Sequence, residues 1–304
     1  MVLRFPLLFL VLAALVSGCS GPGSSTDAPA EIANPAITPG KHIFTAADGV
    51  EIPYRVNGVG ETTVVFVHCW MCEGSFWDAQ VPVLVENYRV ITLDLPGHGE
   101  GGDDRETWTI AGYGADVAGL IEHVDLGPTV LVGHSMGGPV SLEAAARSDR
   151  VIGIVAVDTL QDAEFEFDAP IADQIVSSFQ NDFRATCTNF VENFFAEGEA
   201  GEVVDKVRRV GCEESNAVAG AALMRDFIAM DIPAMFRAAG VPIRAINADA
   251  PNVTQVETNR KYADFDVLLM HNVGHYLHMT RPDEFNGLLL ETLEQMLGSS
   301  SAME

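Results

Sequence analysis

One serine lies in a pattern that makes its hydroxyl a candidate nucleophile. The stretch GHSMG, Gly133–Gly137, lies between a β-branched apolar run typical of a buried strand and a small apolar helical pattern. A chain that turns this sharply from strand to helix exposes the central residue, and side chains at the two flanking positions would collide. The following helix points its free N–H groups at the same place, which favours a developing negative charge. The pattern therefore predicts Ser135 as a nucleophile.

Two cysteines have the C-x-x-C spacing, and they also follow an apolar run typical of a strand. Cys69 and Cys72 lie in the stretch VHCWMC. The spacing occurs in thiol oxidoreductases, but the rest of such a fold is missing here, and a zinc site would need two more suitably spaced ligands. Two structural interpretations stay open. The cysteines are free thiols packed beneath the loop, or they form a short bridge that stiffens it.

Apolar runs of strand character alternate with helical patterns along most of the chain. Because several of these runs lack polar alternation, they predict strands buried on both faces, in a mostly parallel sheet that helices cover on both sides. The segment 159–240 interrupts the alternation with helix-like sequence and predicts a helical cap. The predicted core is therefore 41–158 and 241–298. The predicted strands are His42–Thr45, Glu51–Val56, Thr62–His68, Arg89–Asp94, Thr129–His134, Val151–Asp158, Val241–Asn247 and Asp266–Met270.

The N-terminus has the features of an export signal. Residues 1–18 contain an apolar run that is too short to span a bilayer comfortably, and Leu15-Val-Ser-Gly-Cys19 resembles a bacterial lipobox. On this interpretation cleavage leaves Cys19 as the lipid-modified N-terminus; the alternative is an ordinary secretory signal cut nearby. Residues 19–40 are rich in Gly, Ser, Pro and Ala and predict a flexible tether. We expect an exported protein that is lipid-anchored to the bacterial cell envelope and touches the membrane only through that anchor.

The charge balance narrows the choice of partners. The 304-residue chain carries 17 Lys and Arg against 43 Asp and Glu, a net charge of −26, so it repels nucleic acid and anionic headgroups. Export also implies an oxidising compartment, where an even number of remaining cysteines favours pairing. Cys187 and Cys212 both lie in the predicted cap, and we expect a disulfide between them.

Four stretches, in order, resemble the α/β-hydrolases of the capped, epoxide-hydrolase-like branch. They are VFVHCW, LDLPGHGEG, LVGHSMGG and VGHYLHMTRPDEF, and they are spread over nearly all of 41–297. The resemblance implies an α/β-hydrolase fold with a helical cap and a nucleophile at Ser135. Epoxide hydrolases and haloalkane dehalogenases of this architecture use an aspartate at that position, so a serine disfavours both activities.

The resemblance also implies the partners of the serine. His275 follows the last predicted strand, where the family places its base, and the acid should follow the strand Val241–Asn247. Asp249 is the preferred acid, and Asp158 at the end of the preceding sheet strand is the alternative. The acid would hold the tautomer of the imidazole and stabilise its charged form.

Further site residues follow from the same resemblance. The backbone amides of Trp70 and Met136 would bind the oxyanion, while His68 would pin their loop as a scaffold residue. His134 and His278 are expected to line the substrate pocket. No metal is expected, because Gly274 and the preceding strand end argue against one continuous helix that would gather the neighbouring histidines.

These assignments together imply a serine hydrolase that cleaves a carboxylic ester or lactone through an acyl-enzyme intermediate, without a cofactor. An amidase or peptidase, a C–C hydrolase and a cofactor-free perhydrolase are alternatives on the same triad. The expected partner is a small, fairly apolar molecule. Two other classes stay open: a non-catalytic, ligand-binding lipoprotein on the same scaffold, and a thiol oxidoreductase that uses Cys69.

Overall fold

The computed structural model of the chain describes residues 37–199 and 201–300. The predicted signal peptide, Cys19 and nearly all of the predicted tether lie outside the described residues. Within the described ranges, no helix is both long enough and apolar enough to cross a membrane.

Eight strands form one sheet in the order β1-β2-β4-β3-β5-β6-β7-β8. The pairs β1–β2 and β2–β4 are antiparallel, and all other pairs are parallel, which confirms the prediction of a mostly parallel sheet. The carboxyl ends of the parallel strands therefore share one edge, where ligands bind in open α/β sheets. The strands are β1 Gly40–Thr45, β2 Glu51–Asn57, β3 Thr63–Val67, β4 Arg89–Leu93, β5 Thr129–His134, β6 Val151–Val157, β7 Ile243–Ala248 and β8 Phe265–Met270.

Helices cover both faces of this sheet. Every residue of β3 is buried, and its alternating side chains divide between two hydrophobic clusters: Val64 and Phe66 in one, Val65 and Val67 in the other. This double burial explains why the strand sequence shows no polar alternation. Outside the segment between β6 and β7, the helices are α1 Val81–Leu84, α2 Ile110–His123, α3 Gly137–Ala145, α9 Val256–Asn259, α10 Leu277–Thr280 and α11 Pro282–Ser300, together with a 3₁₀ turn at Gly74–Trp77.

The described residues between β6 and β7 are helical and loop, without a strand, and we call 159–242 the helical insertion. A disulfide joins two buried cysteines of the insertion, Cys187 and Cys212, whose Cα atoms lie 5.5 Å apart. The last helix of the insertion packs against α3, beside the sheet. The helices are α4 Ala169–Asn181, α5 Phe183–Glu192, α6 Gly201–Arg208, α7 Ala217–Ile228 and α8 Ile232–Ala239, with a π-helical turn at Arg209–Glu214.

Candidate active site

Ser135 occupies a tight turn between β5 and α3. Its φ is +51°, a left-handed conformation that a residue with a side chain adopts only when its surroundings enforce it. A Cβ at Gly133 would lie 2.2 Å from the carbonyl oxygen of Gly137, and one at Gly137 would lie 2.3 Å from that of Val67. Both positions therefore require glycine, as the sequence pattern indicates. The Ser135 N–H donates to the Val157 carbonyl at 3.0 Å, which ties the turn to the neighbouring strand.

Asp158 and His275 form the hydrogen bond that organises the site. The His275 Nδ1 and the Asp158 Oδ2 are 2.5 Å apart, and their side chains are only 14% and 8% exposed. Asp158 directly follows β6, in which Val157 pairs with His134 of β5. The acid and Ser135 therefore follow the ends of adjacent parallel strands. The other carboxylate oxygen of Asp158 accepts from the Ala248 N–H at 2.9 Å, which fixes the acid.

The preferred assignment of the acid to Asp249 is wrong, because this side chain does not reach His275. Its N–H donates to the Met270 carbonyl at 3.0 Å, so the chain continues to pair with β8 beyond Ala248. The carboxylate consequently meets His271, the residue after β8, with 2.6 Å between Oδ2 and the ring Nδ1. This hydrogen bond lowers the pKa of Asp249. The alternative acid, Asp158, takes the place beside His275.

His134 and His278 do not line a pocket, which corrects the expectation for both. They are 1% and 0% exposed. Their ring centroids are 4.6 Å apart, and the His278 ring lies 4.4 Å from that of Trp77. Burial lowers the pKa of His134 well below its usual range and that of His278 to about 3, so both imidazoles are neutral. The Nε2–H of His134 donates to the His275 carbonyl at 2.9 Å. This bond holds the loop that carries His275, 271–276, which we call the histidine loop.

The loop after β3 is held at its base by His68. Its Nδ1–H donates to the Cys69 carbonyl at 2.8 Å, and its Nε2 accepts from the Leu95 N–H at 3.0 Å. Burial lowers the pKa of His68, which agrees with the neutral tautomer that these two bonds require. Throughout the part of the chain that the structure describes, no acceptor takes a hydrogen bond from the N–H of Trp70 or of Met136. Both donors are thus available to a bound oxyanion.

Aromatic side chains of the insertion surround the Trp70 indole. Its Nε1–H donates to the Gly220 carbonyl at 3.0 Å. Its ring packs edge-on against Phe179 and Phe190, at centroid distances of 5.2 Å and 6.0 Å. Phe194 continues this cluster to the ring of His275, 4.6 Å away. The surface next to the site is therefore apolar, and it suits an apolar substrate.

A loop that the sequence analysis missed fastens the insertion to His275. In this loop, which we call the clasp loop, 194–199, the Phe194 carbonyl accepts from the His275 N–H at 2.7 Å. The Glu199 carboxylate accepts from the Gly274 N–H at 2.8 Å and from the Thr280 hydroxyl at 2.9 Å. A Cβ at Gly274 would lie 2.4 Å from the Phe194 carbonyl oxygen, so this glycine was the one available signal of a close approach.

Loss of the Glu199 carboxylate is expected to displace His275 without unfolding the protein. Because small displacements of a reacting group are costly, we expect Glu199→Ala to lower kcat, measured with the ester substrates that the sequence predicts, by about 10- to 100-fold with little change in KM. Glu197→Ala removes the same charge from an exposed position of the clasp loop and serves as the control. Steady-state kinetics of both variants test this prediction. Equal kcat values would show that the clasp loop does not position the histidine.

The comparisons with known proteins agree with this architecture. Residues 64–288 match the sequence profile of the Alpha/beta hydrolase family, and the chain belongs to that family. A thermophilic esterase from Thermogutta terrifontis superposes with a TM-score of 0.72 at 23% identity, over 84% of this chain and 99% of that one. The fold is thus the α/β-hydrolase fold that the sequence predicts.

Two curated relatives resemble part of the chain. One is the Karrikin insensitive 2 receptor CA of Petunia hybrida, 30% identical over 147 residues, which are 45% of this chain and 54% of the receptor. Another is a Non-heme haloperoxidase of Rhodococcus erythropolis, 37% identical over 122 residues, which are 38% of this chain and 44% of that protein. The matched part thus spans about half the length of these curated relatives.

Proposed function

We propose that this protein is a serine hydrolase that cleaves a carboxylic ester or lactone. The observation that carries the proposal is the hydrogen bond between His275 and Asp158, at the sheet edge where Ser135 is held in a strained turn. A histidine whose Nδ1 is held by a buried carboxylate has its Nε2 free to accept a proton from a serine hydroxyl. Membership of the Alpha/beta hydrolase family supports the same reaction class.

The proposed reaction has two steps. The Ser135 Oγ attacks the carbonyl carbon of the substrate while the His275 Nε2 takes the hydroxyl proton, and the N–H groups of Trp70 and Met136 stabilise the oxyanion. The tetrahedral intermediate collapses, and His275 gives its proton to the departing alkoxide, which leaves as an alcohol. A water molecule then attacks the acyl-enzyme with His275 as its base, and the carboxylic acid and the serine hydroxyl are released.

The surroundings of the site favour a small or medium, apolar substrate. An aromatic surface borders the site. It is formed by Trp70 of the loop after β3, 68–73, which we call the oxyanion loop, and by Phe190 and Phe194 of the insertion. We also propose, from the sequence, that the insertion acts as a cap and that the mature protein is exported and lipid-anchored to the cell envelope through Cys19.

Covalent capture tests the proposed nucleophile. We expect a fluorophosphonate probe to modify the protein at Ser135, as peptide mass spectrometry would locate it, because only an activated serine reacts at a useful rate. A panel of p-nitrophenyl esters and lactones then defines the bond that is cleaved. A folded protein that takes up no probe and hydrolyses no member of the panel would contradict the proposal.

A ligand-binding role is the second candidate, and one comparison favours it. The petunia relative, which resembles part of the chain, is by its name a receptor. On this hypothesis the apolar surface beside Trp70 holds a small molecule that is not turned over. A ligand that protects the protein against thermal unfolding equally in the wild type and in Ser135→Ala, without any turnover, would support it over the hydrolase.

A further inference from the structure

A disulfide encloses Trp70, whose backbone amide is a proposed donor to the oxyanion. Cys69 and Cys72 are bridged, with 5.2 Å between their Cα atoms, and Trp70 and Met71 lie between them. We propose that this disulfide is a positioning element of the oxyanion hole: it holds the Trp70 N–H in the direction that the transition state needs. The inference rests on the proposed hydrolase function and deepens it.

The bridge closes a turn that its own residues do not favour. The Cys72 N–H donates to the Cys69 carbonyl at 3.2 Å, and Met71 between them has a φ of +55°. Left-handed backbone is strained at a residue with a side chain, so such a turn persists only where the surroundings enforce it. Both cysteines are 2% exposed. The covalent link is therefore part of the packed interior and restricts the backbone directly.

The neighbouring contacts hold the side chains of the loop and, at one point, the peptide that carries the amide in question. The Cys69 carbonyl, which shares a planar peptide with the Trp70 N–H, accepts from the His68 Nδ1–H at 2.8 Å. The Trp70 indole is fixed to Gly220 of the insertion. Met71 of the same loop packs against the insertion. A Cβ at Gly220 would lie 2.9 Å from the Met71 sulfur, and one at Gly211 would lie 3.2 Å from the Met71 carbonyl oxygen. No described residue accepts a hydrogen bond from the Trp70 N–H. The orientation of this N–H therefore depends on the Cys69–Trp70 peptide, which His68 holds through the Cys69 carbonyl and which the bridge encloses.

The second oxyanion donor lies close to the same loop. A Cβ at Gly137 would be 3.0 Å from the His68 carbonyl oxygen, so the start of α3 and the base of the bridged loop nearly touch. The Met136 N–H is fixed by the tight turn at Ser135, whereas the Trp70 N–H is fixed by the bridge together with the His68 hydrogen bond to the Cys69 carbonyl. Loss of the bridge is thus expected to disturb one donor of the pair and to leave the other in place.

Because loss of the bridge disturbs only one of the two oxyanion donors, we expect a partial loss of kcat. Hydrogen bonds to the oxyanion form fully only in the transition state, whereas the aromatic surface around Trp70 acts on the bound substrate as well. Complete removal of one oxyanion donor costs about 10²- to 10³-fold in kcat. A misdirected donor should cost less, about 10- to 100-fold in kcat, while KM changes by no more than about twofold.

The test compares two paired substitutions. Cys69→Ser with Cys72→Ser removes the bridge at the oxyanion loop, and Cys187→Ser with Cys212→Ser removes the bridge within the insertion. Hydrolysis of p-nitrophenyl butyrate gives kcat and KM, and inhibition by an alkyl trifluoromethyl ketone, which forms a tetrahedral oxyanion adduct on the serine, reports the hole itself. We expect the first pair to lose kcat and inhibitor affinity by similar factors. The substitutions at Cys187 and Cys212 should lower Tm and leave kcat and inhibitor affinity unchanged.

Chemical reduction breaks the Cys69–Cys72 bridge by a second route that leaves both cysteines of the bridge in the sequence. Tris(2-carboxyethyl)phosphine gives two electrons to the disulfide and becomes the phosphine oxide with the oxygen of water, and the protons of that water complete the two thiols. Applied to the folded Cys187→Ser, Cys212→Ser protein, it should lower kcat by the same 10- to 100-fold. Reoxidation should restore kcat.

Two results would overturn the inference, and they are distinguishable from failure of the proposed function. One is a kcat and an inhibitor affinity that are unchanged after the Cys69–Cys72 bridge is broken by either route. The other is an equal loss of kcat in both paired variants in proportion to Tm, which would make the bridge a stabilising element only. An oxidised wild type that hydrolyses no ester and takes no fluorophosphonate at Ser135 would instead refute the hydrolase itself, and with it this inference.

Discussion

Ser135→Ala is expected to lower kcat for ester hydrolysis by about 10⁶-fold, the magnitude found when a serine hydrolase loses its nucleophile. Alanine removes the only atom that forms the acyl-enzyme. The oxyanion donors stay in place, so a small residual rate should survive. The measurement is steady-state hydrolysis of p-nitrophenyl butyrate, with Tm recorded for each protein.

Ser178→Ala is the control for this substitution. The Ser178 hydroxyl donates to the Gln174 carbonyl at 2.9 Å within α4, at a half-buried position of the insertion. Its loss should leave kcat unchanged. A Ser135→Ala protein that keeps even a tenth of the wild-type kcat would show that another residue attacks the substrate.

Asp158→Asn is expected to lower kcat by about 10⁴-fold, whereas Asp249→Asn should change it by less than about twofold. Asparagine keeps the shape of the acid but offers an N–H₂ group that favours the wrong imidazole tautomer, and it does not stabilise the charged ring. Both carboxylates hydrogen bond a histidine at the same sheet edge, at 2.5 Å and 2.6 Å, so the two variants form a matched pair. Kinetics of both variants decide which carboxylate is the acid. A large loss in Asp249→Asn alone would reverse the assignment.

The nucleophile turn could be predicted from the sequence because its determinants are local. Gly133, Ser135 and Gly137 lie within five residues, and the clashes that exclude larger side chains arise inside that turn or from the adjacent strand. The strands were predictable for a similar reason. Burial on both faces leaves a continuous apolar run, which the sequence shows directly.

The acid could not be chosen from the sequence alone, because an aspartate directly follows each of two strands at the same sheet edge: Asp158 follows β6 and Asp249 follows β7. Which carboxylate meets His275 depends on how far β7 continues to pair with β8. That pairing extends to Asp249 and turns its side chain towards His271. Order along the chain does not contain this information, since the register of neighbouring strands is a property of the assembled sheet.

The two buried histidines were assigned a wrong role and the clasp loop was missed, for opposite reasons. His134 and His278 are polar residues next to reactive ones, and their sequence suggests a pocket wall, but burial leaves both neutral and packed together. Glu199 lies in an acidic stretch of the insertion, where a carboxylate is expected to face solvent. Its hydrogen bonds to Gly274 and Thr280 join segments about eighty residues apart, a distance at which no local pattern operates.

The hydrogen bonds between the clasp loop and the histidine loop link substrate entry and product release to the proton transfer that we propose for His275. The N–H groups of both Gly274 and His275 end on the insertion, one on Glu199 and the other on the Phe194 carbonyl. The insertion therefore cannot lift away as a rigid body while the imidazole stays beside Asp158. Opening by local rotation of the aromatic side chains would leave the base in place, whereas lifting of the clasp loop would withdraw it until the hydrogen bonds reform.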